Sequence, residues 1–422
     1  MDGLPDINRL DNGLQYVLAP IPGLKSVTVL VLVKAGTRYE TPQTNGISHF
    51  LEHITAKGTK AFPSAKVIST TVDNIGGMFN AFTGKEYTGY FVKCAAAHLE
   101  LALKIVSQLV FEPILPEKEI DIERGVILEE IRMYEDDPQL KVETIFEKVV
   151  FAPSTLGWDT LGRVEVIQAL KKKTFLDYLK YLYVPNRMVL TVAGGLDQNL
   201  RQASEYKQLI DKYFGPKKVN IHFKESNFNF RQQQPKKEID PKKTEQTHLI
   251  YGYRTFGRGH PDRYALSVLA TILGGGMSSR WFTEIRERRG LAYYVSPATN
   301  TYKESGYLAV RAGTKAETAQ QVIDLAQKEF SNLKKIQISS TELKKAKEYI
   351  KGHLFLRYEN SFEVADFYAE DLLMEGKLRS LDQLLKSIDA ITTNDIKRLA
   401  GKLFVEKARN LAVIGIKEKL II

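Results

Sequence analysis

Cysteine is nearly absent from this 422-residue chain, with Cys94 the only one. Intramolecular disulfides and thiolate zinc sites are thereby excluded, and the usage fits a reducing compartment. Also missing is any run of about 18 uncharged apolar residues, so no segment is predicted to span a membrane as a helix. The most apolar stretch, VTVLVLV at residues 27–33, is strand-length and is followed by Lys34. The first residues, MDGLPDINRLDNGLQY, hold neither a basic segment before an apolar core nor an Arg/Ser-rich amphipathic presequence. The expectation is a cytoplasmic protein, or a mature form already stripped of its targeting segment. The net charge is +10, yet no basic run interleaves with aromatics as a nucleic-acid groove requires. The short lysine clusters at 171–173, 217–218 and 236–243 read as solvated surface, and no nucleic-acid or membrane partner is expected.

What is present is the composition of a folded protein: 43% hydrophobic residues, with 20 Tyr and 20 Phe. The length exceeds one ordinary core and implies two large domains or several small ones. Residues 14–40 alternate and then run apolar, which predicts a β-hairpin leading into a central strand. Helical patterns follow at about 46–57, 64–76, 96–111, 116–135 and 164–182, and RMVLTVAGG reads as a buried strand. Residues 216–247 are polar and lysine-rich and carry Pro235 and Pro241, which marks a linker.

After that linker the pattern repeats. A strand (THLIYGYRTF) and a helix (PDRYALSVLATIL) come first, and the strand pair in LAYYVSPATNTYKESGYLAVRAG parallels NAFTGKEYTGYFVK of the first half. VEKARNLAVIGI echoes VPNRMVLTVAGG 221 residues earlier, Val405 against Val184. The predicted class is α+β, with two duplicated domains (1–215 and 248–422, joined by 216–247). Each is a mainly antiparallel sheet with helices packed on one face.

One short segment, HFLEH, carries candidate chemistry. In a helix at about 100° per residue, Ile47, Phe50, Leu51 and Ile54 gather on one side, and His49, Glu52 and His53 on the other. The i, i+4 spacing stacks the two imidazoles one turn apart, close enough to share a metal ion. Thr44 or Asn45 is placed to cap this helix and Gly58 to end it. Solvated polar residues opposite an apolar face would give the same pattern, so a third ligand is needed. The helix PEKEIDIERGVILEEIRMYEDD offers one. Ile120, Glu123, Val126, Ile127, Glu130 and Tyr134 fall on one stripe of it, embedding two carboxylates in an apolar face. That is costly unless they are paired or bound to a cation. Glu129 lies off the stripe, so the geometry selects Glu130, with Glu123 two turns away.

HFLEH with Glu130 at 77 residues beyond His53 resembles the inverted zinc-peptidase signature. The family is that of pitrilysin, insulin-degrading enzyme and the mitochondrial processing peptidase. GTRYE, the KGT after HFLEH, GGxxNAFTxxExT, ERGVILEEI and ILGGGMSSRWFTEIRERRGLAYYV also resemble it, in the expected order. The likeness covers nearly the whole chain, and the length matches the small single-chain bacterial-type branch. It implies a zinc metalloendopeptidase with one Zn2+ per chain, ligated by His49, His53 and Glu130. Glu52 would be the general base, and Glu123 would support the site electrostatically or relay a proton. It further implies that Asn80, Ala81 and Phe82 lie on a sheet edge that pairs with substrate, and that Arg286 and Tyr293 clamp it. Two domains would close as a clamshell around a short or unfolded peptide.

In the second half ALSVLATIL stands where HFLEHIT stands in the first, so no second metal site is expected. The long glycine-rich loop of the non-catalytic processing-peptidase subunit is reduced to GGGMSS at 274–279, which speaks against a presequence-processing role. The resemblance implies a homodimer, or a heterodimer with a related subunit. Zinc ligands and clamp stand in one chain, so it could also operate alone. The competing reading within the family is a non-catalytic scaffold subunit.

Overall fold

The structure, a computed structural model, describes residues 4–196, 200–217, 231–415 and 420–422. Among these, no helix is long and apolar enough to cross a membrane. The strands are β1 (Ile7–Arg9), β2 (Gln15–Pro20), β3 (Ser26–Val33), β4 (Met78–Thr83), β5 (Thr88–Ala95) and β6 (Met188–Gly194). They continue with β7 (Lys236–Asp240), β8 (Thr247–Phe256), β9 (Ala292–Thr301), β10 (Ser305–Thr314) and β11 (Arg409–Ile414). They form a six-stranded sheet in the order β1-β2-β6-β3-β5-β4 and a five-stranded sheet in the order β7-β11-β8-β10-β9.

The α+β class and the duplication hold strand for strand. Leaving out β1, both sheets follow one path. The last strand of each set slips between its first two, lying parallel to the first and antiparallel to the second. The expected hairpin over 14–40 is therefore wrong, because β6 separates β2 from β3. Every residue of β6 is buried, and so are seven of the eight residues of β3, which run as valines and leucines with one threonine. Strands that apolar belong in a sheet centre with both faces covered.

The linker reading also needs correction. Part of 216–247 (218–230) lies outside the described residues, but Lys236–Asp240 is β7, the parallel partner of β11. The 164–182 pattern resolves into two helices, Val164–Ala169 and Lys172–Leu182. The helical patterns above do not include Pro138–Phe151, nor most helices of the second half such as Ala319–Lys335 and Ser361–Glu375. The start of Pro138–Phe151 is written in the sequence all the same. Asp137 accepts hydrogen bonds from the Gln139 and Leu140 amides, and Pro138 occupies the first turn, where a missing N–H costs nothing.

The chain divides into two compact units that are not contiguous in sequence. One comprises the described residues of Met1–Ile131, Asp159–Lys224 and Leu356–Ser380, the other those of Arg132–Trp158, Glu225–Phe355 and Leu381–Ile422. The division 1–215, 216–247, 248–422 differs from these because each half of the sequence lends one helix to the sheet of the other. Helix Ser361–Glu375 packs on β3 and β6, where Thr28 and Ser361 hydroxyls meet at 2.9 Å and the Phe362 ring lies 4.4 Å from that of Phe91. Reciprocally, Val142, Phe146 and Val150 of the Pro138–Phe151 helix form a core with Ile250, Ala309 and Ala412. Leu249, Tyr251 and Leu411 point the other way, into the larger core with helices Ala319–Lys335 and Thr393–Leu403. Successive strand residues face opposite sides. The second sheet thus carries helices on one face and the exchanged helix on the other.

In the first unit the HFLEH helix spans Ile47–Thr55, with Ile47, Phe50, Leu51 and Ile54 fully buried. Neither Thr44 nor Asn45 caps it. The cap position is Gly46, at φ 93°, and the carboxylate that serves the helix start is Glu40. Its oxygens accept from the Gly46 amide (2.8 Å), the Ser48 amide (3.1 Å), the Ser48 hydroxyl (2.6 Å) and the Asn45 side chain (2.9 Å). A Cβ on Gly46 would lie 2.6 Å from the Leu161 carbonyl and 2.7 Å from Gly162 Cα. Gly46→Ala combines a left-handed backbone with overpacking and is expected to cost about 3 kcal/mol. The measurement is a shift in the urea midpoint of the purified variant.

Candidate metal centre

The HFLEH helix is not wet on its polar side. His49 is 8% exposed and His53 and Glu52 are half-buried. On the facing helix, Glu117–Asp136, the buried stripe is Ile120, Glu123, Ile127 and Ile131. Val126, expected on that stripe, is 47% exposed. It sits about 100° around the helix from Ile127. Glu130 lies on the flank of the stripe, and from there its carboxylate reaches both imidazoles.

Three donor atoms converge. Glu130 Oε2 lies 3.6 Å from His49 Nε2 and 3.6 Å from His53 Nε2. The two rings stand edge to face with centroids 4.6 Å apart. Among the described residues, these three form the one group of His, Cys, Asp or Glu side chains arranged to hold a metal ion. A separation of 3.6 Å is too long for a hydrogen bond. It is close to the roughly 3.4 Å between ligands bound at about 2.0–2.1 Å in tetrahedral coordination. Two imidazole nitrogens and one carboxylate oxygen, without a thiolate, suit zinc.

The protonation states agree. Burial, and then the neighbouring His53, push the His49 imidazole down to about 3, so it is neutral at pH 7 with a lone pair to offer. Its Nδ1 is buried without a hydrogen-bond partner. His53 is oriented from behind. Its Nδ1 lies 3.1 Å from Glu123 Oε2, and Lys57 Nζ holds the other oxygen of Glu123 at 2.7 Å. With the proton on Nδ1 donated to Glu123, the Nε2 lone pair of His53 points at the shared centre. Glu123 thus acts through His53.

Glu52 extends from the same helix toward β4, where the Thr83 hydroxyl donates to its Oε2 at 2.6 Å. Burial pushes the Glu52 carboxyl above the usual carboxylate range, and the Thr83 hydrogen bond pulls it partly back. β4 is the edge strand of the first sheet, paired with β5 alone. Asn80 is exposed, and its side chain accepts from the Ala81 amide. Phe82 turns toward helix Ser361–Glu375, with its ring 6.3 Å from that of Phe362, over Gly89. A Cβ on Gly89 would lie 2.2 Å from the Phe82 ring, so a larger residue there would displace the ring.

Arg286 and Tyr293 belong to the other compact unit. Arg286 lies on a π-helical turn, Phe282–Glu287, with its guanidinium 5.0 Å above the Phe282 ring. Tyr293 is 75% exposed near the start of β9. Both line one concavity of about 340 Å³ with Gln246, Gly290 and Lys315.

Five supporting residues escape sequence reasoning as site components: Glu40, Lys57, Thr83 and the buried pair Arg38–Glu86 (2.7 Å). All lie inside or beside the quoted motifs. GTRYE holds Arg38 and Glu40, and NAFTxxExT holds Thr83 and Glu86. Neither contains a spacing that announces which carboxylate caps a helix and which pairs with a base.

Residues 16–162 match the family model described as insulinase (peptidase family M16), and residues 169–350 match the one described as peptidase M16 inactive domain. The chain belongs to peptidase family M16, in its small single-chain bacterial form. It is 35% identical over 395 residues to the uncharacterized zinc protease YmxG of Bacillus subtilis (strain 168), covering 94% of each chain. To an uncharacterized zinc protease of Streptomyces coelicolor it is 33% identical over 422 residues, 99% of this chain and 91% of that one. A solved protease from Helicobacter pylori superposes with a TM-score of 0.90 at 25% identity, covering 97% of this chain and 100% of that chain. The part matched as inactive domain contains none of His49, His53 and Glu130.

If Glu123 orients His53, Glu123→Gln should bind zinc about 10- to 100-fold more weakly. Zinc titration of the metal-free protein against a competing chelator measures it.

Proposed function

We propose that this chain is a zinc-dependent metalloendopeptidase acting on short or unfolded peptides. The observation that carries the reading is the convergence of His49, His53 and Glu130 beside a carboxylate, Glu52, that is held separately by Thr83. His49 Nε2, His53 Nε2 and a Glu130 oxygen would hold one zinc ion. The chemistry a bound zinc supplies is Lewis acidity toward a water molecule and toward the carbonyl of the peptide bond to be cleaved.

The chain's own residues do the rest. Glu52 takes the proton of the attacking water and returns it to the leaving amine. A carboxyl raised by burial suits both halves of that task better than an ordinary one, since its affinity for the proton is nearer the operating pH. Thr83 fixes one oxygen of Glu52, which leaves the other to work. Glu123 with Lys57 behind it keeps His53 in the tautomer that presents Nε2. The free edge of β4 can pair with an extended peptide through main-chain hydrogen bonds around Asn80, Ala81 and Phe82. Phe82 serves that edge from below, through its packing on Phe362. Arg286 and Tyr293 offer a cation and a phenol to the substrate's carbonyl groups. Both sets of groups stand on one chain, so a homodimer, or a heterodimer with a related subunit, would not be needed to complete them. A cytoplasmic location is consistent with the lone buried thiol of Cys94.

Two variants test this. Glu52→Gln should retain zinc at wild-type stoichiometry while turnover of a quenched peptide library falls about 10²- to 10⁴-fold. Equal turnover in the two proteins would overturn the mechanism, and a wild type without bound zinc would favour the non-catalytic scaffold. Thr83→Val removes the hydrogen bond that lowers the Glu52 pKa, so that pKa should rise further. Because hydrolysis needs Glu52 ionised, the acid limb of the kcat/KM profile should move to higher pH.

A further inference from the structure

The two units carry a concavity at the same place in their common topology. In the second unit it is the one lined by Arg286 and Tyr293, where the start of the edge strand β9 meets the end of β10 and the entry to β8. In the first unit a concavity of about 410 Å³ lies where the start of the edge strand β4 meets the end of β5 and the entry to β3. Lys25, Ser26, Met78, Lys93 and Cys94 are among its walls. The residues differ, yet the electrostatics repeat. Arg286 and Lys315 face the second concavity and Lys25 and Lys93 the first, and among the described residues neither is lined by a carboxylate. The cations come from different elements in the two units, so this is not inherited identity at matching positions.

We propose that the Lys25–Lys93 concavity is a subsite for an acidic side chain of the bound peptide, about five residues from the bond that is cleaved. The proposal rests on the reading of β4 as the edge that pairs with substrate. Thr83, which holds Glu52, ends β4, and Met78, which lines the concavity, begins it. The five residue steps from one to the other correspond to about 17 Å of extended chain. A peptide side chain reaching past Met78 meets a thioether that is 65% exposed, an adaptable surface for the methylene stem of a glutamate. Beyond it stand the ammonium groups. Lys93 is already placed, with its Nζ 3.1 Å from Asn360 Oδ1, while Lys25 is exposed and free to swing. Burial pushes the Cys94 thiol up to about 11, so it brings no negative charge to the wall at neutral pH.

The test is binding, so that it stands apart from catalysis. A single glutamate is walked along an otherwise neutral fluorescein-labelled peptide with a C-terminal amide, and anisotropy gives Kd for the zinc-loaded Glu52→Gln protein. One position should bind about five-fold more tightly than its glutamine counterpart, as expected for two partly solvated ion pairs. That gain should vanish in the same protein carrying Lys25→Gln and Lys93→Gln, with Kd for the neutral peptide unchanged. Lys25→Gln alone, which leaves the Lys93–Asn360 contact intact, should remove about half of the gain in free energy. No favoured position, or a gain that survives the double lysine substitution, would overturn the subsite. Hydrolysis of the neutral peptide by the wild-type protein separately tests the peptidase reading, and its cleavage site sets the distance to the favoured glutamate.

Discussion

The carboxylate of Glu40 is the fixed point of the metal centre. It is buried, and its two oxygens accept from the amides that open the HFLEH helix, from the Ser48 hydroxyl and from the Asn45 amide. Burial raises its pKa and these donors only partly offset the rise. A group that costly to bury persists because it satisfies donors that the helix start would otherwise leave unpaired. With the first turn held in this way and the apolar face packed into the core, the helix has one rotation available. That rotation aims His49 and His53 at Glu130 and Glu52 at Thr83. Arg38 and Glu86 secure the approach to the helix, since the same segment is tied to the turn between β4 and β5 by their buried ion pair. Positioning of the donors is thus delegated to ordinary packing and hydrogen bonds a few residues upstream.

Duplication explains how one chain can divide its labour. Both sheets follow the same strand path, and in both an edge strand is left open to pairing. The helix after the third strand of the first sheet carries imidazoles, whereas its counterpart after β8, Arg263–Gly274, buries leucines, isoleucine and alanine at the corresponding place. The second copy, relieved of the metal centre, keeps cations and an exposed tyrosine beside its edge strand. Exchange of one helix between the halves then gives each sheet a cover for its second face. It also makes each compact unit depend on both halves of the chain for its core.

Much of this was legible in the sequence. Period-two and period-3.6 patterns located β3, β6, β8 and the main helices of the first half, because a half-buried or fully buried segment leaves its periodicity in plain view. HFLEH and Glu130 were legible as a candidate centre for a similar reason: polar groups in an apolar stripe stand out. What could not be read was partnership. The strands β2 and β3 are neighbours in sequence, and only the fold shows that β6 comes between them. Lys236–Asp240 looks like linker because a short edge strand with four charged residues in five buries too little to leave a pattern. The Glu40 cap, the Glu123–Lys57 support and the Thr83 hold on Glu52 join residues 5 to 66 positions apart, through contacts that no local spacing encodes.

By itself, then, the sequence determined the class of fold, its duplication and the residue types that can bind a cation, since these follow from local periodicity and from the cost of placing charge in an apolar face. The tertiary structure decided which strand lies beside which, which half covers which sheet, and that one carboxylate oxygen lies 3.6 Å from each of two imidazoles. Those are long-range choices. They depend on the surfaces that distant segments bury against each other, and a side chain's neighbours across space leave no mark on its neighbours along the chain.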